Sequence, residues 1–130
     1  MPLTNHSSTA ALSVLIILQA VMLSALYAGV PPHPPVATPL FGIAPFLGAS
    51  MSAAVAAMLL SSPSNRCDRG LSLLAVVMAL VSFGPQKYFD AQFGLIWPAV
   101  ISGQLACLAL LWALVSDMRS GTKGRQEETA

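Results

Sequence analysis

Long apolar runs alternate with short polar segments along this chain. Four runs reach or approach the length that a bilayer requires: residues 10–30, 40–62, 70–85 and 93–116. A hydrocarbon core about 30 Å thick needs roughly 20 residues of helix, because each helical residue adds about 1.5 Å. The pattern therefore predicts an all-α, polytopic membrane protein with four transmembrane helices, of which the third is the shortest.

The charged side chains support the same division. Charged residues make up 8% of the chain against 55% hydrophobic residues, and every one of them lies outside the four runs. A charge at the centre of a bilayer costs about 2.5–3.5 kcal/mol even on lenient insertion scales. The charges therefore mark the loops and the ends.

The basic residues predict the orientation. Arg66 and Arg69 separate the second and third runs, three more basic residues follow the fourth run, and Lys87 alone separates the third and fourth. Because Lys and Arg accumulate in cytoplasmic loops, we expect a multi-pass protein of a cell inner membrane with both termini in the cytoplasm. Residues 1–9 form a cytoplasmic lead-in, and the polar residues 117–130 are expected to be a disordered cytoplasmic tail.

The second and fourth runs resemble each other in sequence. They align without gaps at an offset of 52 residues, which pairs Ser50 with Ser102 and Ala57 with Ala109. Both cross the membrane in the same direction, so the chain could consist of two parallel-repeat helical hairpins related by an axis along the membrane normal. Chance resemblance between low-complexity helices is the alternative.

Two glutamines, Gln19 and Gln104, are the most polar residues near the middle of their runs. One interpretation is structural: each amide bonds to another helix, or to the other glutamine, and adds about 0.6–2 kcal/mol to helix association. The other is functional: the two amides line an apolar pocket for a neutral ligand, such as a quinone headgroup or a small polar solute. The structural interpretation is favoured.

Small residues indicate close helix packing. Gly48, Ser52 and Ala56 are four residues apart in the second run, and Gly103 follows Pro98, where a kink is expected, in the fourth. This spacing lets membrane helices approach closely. The partner helix is one of this chain or of another chain, and accidental composition is the alternative.

The loop between the third and fourth runs carries Lys87, Tyr88, Phe89 and Asp90. Lys87 and Asp90 are three residues apart, the spacing of neighbours on a helical turn. An interfacial aromatic belt or a solvated loop is the simpler interpretation. The sharper hypothesis is that the loop lies flat in the membrane interface and contacts a partner protein.

Groups that carry chemistry are missing from the four runs. No run contains Asp, Glu, Lys, Arg or His, so proton or cation coupling within the membrane is not expected. His6 and His33 have no second ligand at metal-binding spacing, and no nucleophile with a base or phosphate-binding loop is present. Cys67 and Cys107 are expected at different depths and hence as thiols. We expect no enzyme activity, cofactor, metal or nucleic-acid partner.

The leading hypothesis is a non-catalytic accessory or structural subunit of a larger inner-membrane complex. Its partners would be the lipid bilayer and other membrane-protein subunits, or further copies of itself. The alternative is a small channel or transporter for a neutral or apolar solute, acting as a homo-oligomer because four short spans rarely enclose a pathway alone.

Overall fold

The computed structural model describes residues 3–30, 40–60 and 66–128, with side chains described for 6–30, 41–60 and 66–121. This part of the chain forms four α-helices, which are α1 (Leu3–Ala28), α2 (Leu40–Leu59), α3 (Arg66–Phe83) and α4 (Phe93–Glu128). A 3-10 helix, Pro85–Phe89, joins α3 to α4. All four α-helices are long and apolar enough to cross a membrane, which confirms the predicted all-α, multi-pass fold class.

Three helices extend beyond the predicted runs, and α3 does so at its start, because it begins at Arg66 and not at Gly70. Helix α1 begins at Leu3, so most of the predicted lead-in is helical. Helix α4 continues to Glu128, so residues 117–128, which we expected to be disordered, are helical as well. Extending an existing helix adds one hydrogen bond per residue without a new nucleation step, which favours such continuation into polar sequence. Residues 61–62 and 129–130 lie outside the described part.

Helix α1 ends in a hydrogen-bonded cap. Gly29 adopts a left-handed conformation with φ of 63°. Its N–H donates to the carbonyl of Leu26 at 3.4 Å, and the N–H of Val30 donates to the carbonyl of Ala25 at 3.1 Å. This pair of bonds is the Schellman arrangement, in which glycine suits the left-handed position because it has no Cβ. The chain therefore leaves α1 in a fixed direction.

The helices form a ring in chain order. Contacts join α1 to α2, α2 to α3, α3 to α4 and α4 back to α1, while α1 and α3 face each other across the bundle with few contacts. All four helices contribute to one core of apolar side chains. Its largest fully buried aliphatic members are Leu12, Leu15, Leu47, Val76, Val100 and Leu110.

The buried positions of α2 and α4 correspond at an offset of 53 residues. The buried residues of α2 and their counterparts in α4 are Leu47 and Val100, Ser50 and Gly103, Ala53 and Ala106, Ala54 and Cys107, Ala57 and Leu110. Pro45 and Pro98, each inside its helix, share this offset. The predicted offset of 52 instead pairs buried Ala57 with exposed Ala109, so that register is wrong for the packing faces.

Two ends of the bundle can now be named. The Lys87 end carries the C-termini of α1 and α3, the N-termini of α2 and α4, and the 3-10 helix. The Arg66 end carries the opposite termini. Large apolar side chains such as Ile17, Leu108 and Trp112 are exposed on the outside of the bundle between these ends. Such a surface suits hydrocarbon as its solvent.

Candidate functional site

Gln19 lies at the centre of the bundle on α1 with 1% of its surface exposed. Its Nε2 donates a hydrogen bond to Oγ of Ser50 on α2, across 2.7 Å. Its Oε1 has no hydrogen-bond partner among the described residues, although it too is buried. The amide nitrogen therefore links α1 to α2, while the amide oxygen has no partner among the described residues.

Gln104 is half-buried on α4 and bonds with both halves of its amide. Its Oε1 accepts a hydrogen bond from the hydroxyl of Tyr88 at 2.8 Å. Its Nε2 donates to the backbone carbonyl of Phe83 at 3.2 Å. This side chain therefore ties α4 to the end of α3 and to the 3-10 helix, and the two glutamines do not bond to each other.

The partners of the two glutamines were not identified from sequence. Phe83 is the last residue of α3, and the last carbonyls of a helix lack intrahelical donors. The sequence Gly84-Pro85 that follows signals such an end, so an available acceptor could have been inferred there. Ser50 carries no comparable signal, because it is one of several serines in an alanine-rich helix.

The 3-10 helix is held by contacts on both sides. Gln86 donates from Nε2 to the carbonyls of Leu80 at 2.9 Å and Val81 at 2.8 Å, and so caps the C-terminus of α3. The rings of Tyr88 and Phe93 are 5.2 Å apart between centroids, a separation typical of aromatic pairs. The loop is thus fastened to α3 and to the start of α4.

An ion pair closes the same loop. Nζ of Lys87 lies 3.3 Å from Oδ2 of Asp90, as expected for residues three apart on a helical turn. The other oxygen, Oδ1, accepts the backbone N–H of Gln92 at 3.0 Å. The N–H of Gln92 and, to a smaller degree, the ammonium of Lys87 hold the pKa of Asp90 below its ordinary value. The carboxylate is therefore charged at neutral pH and fixes the loop.

Phe89 is almost fully exposed on this fastened loop, with 95% of its surface accessible. Tyr88 beside it is 45% exposed, with its hydroxyl bonded to Gln104. Of the four loop residues predicted as a partner contact, Lys87 and Asp90 thus bond to each other, Tyr88 bonds to α4, and Phe89 projects away from the bundle.

Gly103 lies where α4 approaches the end of α3. It is buried, and a Cβ added to it would lie 2.9 Å from Cβ of Phe83, closer than real Cβ contacts. No side chain larger than hydrogen fits there without movement of the neighbour. Close packing of α4 against α3 therefore depends on this glycine.

The other three predicted packing residues do not face the bundle interior. Ser52 is exposed and donates a hydrogen bond to the carbonyl of Gly48 at 2.8 Å. A Cβ added to Gly48 would meet nothing within 4 Å, and Ala56 is half-buried. The interior face of α2 is offset by one position because Leu47 is fully buried there, and one residue rotates a helix by about 100°. Of the two partners that the sequence left open, the described helices of this chain do not cover Ser52, and packing of the three residues on another chain stays a prediction.

A cavity of about 130 Å³ lies between α1 and α4 at the Lys87 end. Leu18 and Ala25 of α1 and Ala99 of α4 line its sides, and Phe83 lines it from α3. Neither glutamine of the predicted pair lines it, because Gln19 points to α2 and Gln104 to the 3-10 helix. The two glutamines therefore do not form part of the cavity wall.

Chemistry-bearing side chains are sparse in the described part of the chain. Cys67 is exposed at the start of α3 and Cys107 is buried in α4, and they form no disulfide with each other. The side chains described for residues 6–30, 41–60 and 66–121 contain no group of three metal-binding residues. His33 lies outside the described residues. The chain matches no protein-family model, no curated protein and no solved structure.

Proposed function

We propose that this chain is a non-catalytic subunit of a larger inner-membrane complex, with the loop Lys87–Asp90 as its contact with a neighbouring subunit. The observation that supports this role is Phe89, a large apolar side chain that is 95% exposed on a loop with little freedom to move. Exposed apolar side chains on fixed backbone are typical anchors of protein interfaces.

The contacts around Phe89 support an interface more than a solvated loop. The Lys87–Asp90 ion pair, the Gln86 cap on α3 and the Tyr88–Gln104 bond restrict the backbone on both sides of Phe89. A preordered loop loses less conformational entropy on binding than a mobile one. Insertion of the ring into the membrane interface is the competing use of the same geometry.

The proposed orientation places the Arg66 end in the cytoplasm. Arg66, Arg69 and Arg119 lie at that end, whereas Lys87 lies at the other. Among the residues whose side chains are described, the Arg66 end therefore carries three Lys or Arg residues and the Lys87 end carries one. This distribution favours both termini on the cytoplasmic side and Phe89 on the outer side.

The test is purification of the tagged full chain from its native membrane in mild detergent, followed by identification of the co-purifying chains. We expect a stoichiometric set of other membrane subunits with the wild type and its loss with Phe89→Ala. Phe41→Ala is the matched control, because Phe41 is 82% exposed at the same end but lies on α2. A homo-oligomer without partners, or equal losses from both variants, would contradict the proposal.

One observation supports the alternative role as an oligomeric channel or transporter for a neutral solute. Oε1 of Gln19 is a buried acceptor that finds no partner in the part of the chain that the structure describes, and such an atom could receive a hydrogen bond from a solute in the bundle. Under this alternative, Gln19→Leu removes solute flux in reconstituted vesicles while the oligomer stays intact. An absence of wild-type flux would exclude it.

A further inference from the structure

The cavity between α1 and α4 is walled almost entirely by apolar side chains. Leu18 and Ala25 face it from α1, Ala99 and Ile96 face it from α4, and Phe83 reaches it from α3. From Leu18 to Ala25 the wall extends over seven residues, or about 10 Å along the helix. The cavity is therefore an elongated apolar slot parallel to α1.

The slot opens sideways at the surface of the bundle. Val21 lines it and is also 62% exposed, so the opening lies on the outer face between α1 and α4. In a membrane this face borders hydrocarbon. An apolar cavity of similar size stays free of water and accepts small apolar guests. Because an empty slot would forfeit dispersion contacts on its walls, a hydrocarbon chain of the bilayer is the natural occupant.

The mouth of the slot at the Lys87 end is polar. Lys87, Asp90 and Gln92 line it, with side-chain exposures of 28% for Lys87 and 19% for Asp90. The ammonium and the carboxylate lie 3.3 Å apart and cancel in net charge. Such a pair suits a headgroup that itself carries both charges, with its phosphate beside Lys87 and its ammonium beside Asp90.

From these observations we propose that the slot binds part of one acyl chain of a zwitterionic phospholipid whose headgroup lies at the Lys87–Asp90 pair. A lipid fits this arrangement better than an apolar partner helix, because the slot combines apolar walls with a mouth that carries both charges. The headgroup site shares Lys87 and Asp90 with the proposed contact loop, but Phe89 does not line the slot, so Ala99→Leu tests the lipid and Phe89→Ala tests the subunit contact separately.

The test is native mass spectrometry of the full chain released from micelles that contain equal amounts of phosphatidylethanolamine, phosphatidylglycerol and an isoprenoid quinone. Their masses identify which one stays bound. We expect one phosphatidylethanolamine per chain in the wild type and an about tenfold lower bound fraction in Ala99→Leu, where the added side chain fills the slot. Ala25→Leu fills the slot from α1 and should have the same effect.

The matched control is Ala109→Leu, an exposed alanine on α4 outside the slot, which should retain the wild-type lipid. Asp90→Asn leaves Lys87 unpaired and should shift the preference to phosphatidylglycerol without lowering total occupancy. Thermal unfolding establishes that each variant is folded. Wild-type retention in both slot-filling variants, equal loss in Ala109→Leu, or preferential binding of the quinone would overturn the proposal.

Discussion

The bond between Gln19 and Ser50 predicts an asymmetric response to mutation. Ser50→Ala removes the acceptor of a 2.7 Å bond and leaves the whole amide of a 1% exposed side chain without a partner. Gln19→Leu removes the amide together with its already unsatisfied Oε1, and the Ser50 hydroxyl that it leaves can donate to a backbone carbonyl of its own helix. Stranding a buried polar group costs more than replacing it by an apolar group of similar size.

The magnitudes follow from this difference. We expect Ser50→Ala to lower the free energy of unfolding by about 1–2 kcal/mol, the sum of a lost membrane hydrogen bond and a stranded amide. The free energy of unfolding of Gln19→Leu should stay within about 0.5 kcal/mol of the wild-type value. The variant loses one hydrogen bond of about 0.6 kcal/mol, but it also removes the buried carbonyl that has no partner among the described residues. The double variant should match Gln19→Leu, so the coupling energy nearly equals the cost of Ser50→Ala.

Unfolding in mixed micelles with increasing SDS measures these changes. Cys107 is 2% exposed and becomes reactive to a thiol-specific dye only when the bundle opens, provided that the exposed Cys67 is replaced by Ser in every variant. Equal and additive losses from the two single variants would refute the contact. If Gln19→Leu were the most destabilising variant, Oε1 would have to accept a hydrogen bond from a group outside the described residues.

Three further predictions concern other parts of the molecule. Gly103→Ala should destabilise the bundle by about 1–3 kcal/mol in the same SDS assay because its Cβ meets Phe83, whereas Gly48→Ala, which meets nothing, should cost no stability. Because the folded-state pKa of Asp90 is lowered, its contribution is fully present above about pH 4 and is lost as pH falls through that lowered pKa. The protection factors of the loop amides, which compare their exchange with that of an unstructured peptide at the same pH, should therefore fall below pH 4, and Asp90→Asn should remove this dependence. A membrane-impermeant maleimide should label Cys67 in inverted inner-membrane vesicles but not in right-side-out vesicles, and the opposite result would reverse the proposed orientation.

The fold class could be predicted because apolar run length and charge segregation depend only on the chain and its solvent. The ends of α1 and α4 could not be predicted. Polar residues near Leu3 and Glu128 differ little in free energy between the helical and the disordered state. Gln104 illustrates the limit for the site. Its position near the middle of its apolar run could be predicted from sequence. Its hydrogen-bond partners, the Tyr88 hydroxyl and the Phe83 carbonyl, could not, because they depend on where α3 ends.

The predicted alignment of α2 with α4 was wrong in register for a related reason. The offset of 52 maximises identities among small residues, which occur on every face of an alanine-rich helix. The offset of 53 matches the buried faces and the prolines Pro45 and Pro98. Burial is a property of the assembled ring and therefore becomes visible only when neighbouring helices are in place.

The length of α4 has a consequence for the way the bundle meets the aqueous phase at the Arg66 end. If the membrane-spanning part ends near Ser116, the twelve helical residues that follow form a rod of about 18 Å. Arg119 then lies within one Debye length, about 8 Å, of the surface, whereas the backbone at Arg125 lies beyond it. The charged residues of a flexible tail can all reach the lipid surface. A helix instead holds the backbone of each charged residue at its own distance from that surface. Asp117 and Arg119 thus stay near the membrane, whereas the backbone of the last helical residues is held away from it in the aqueous phase.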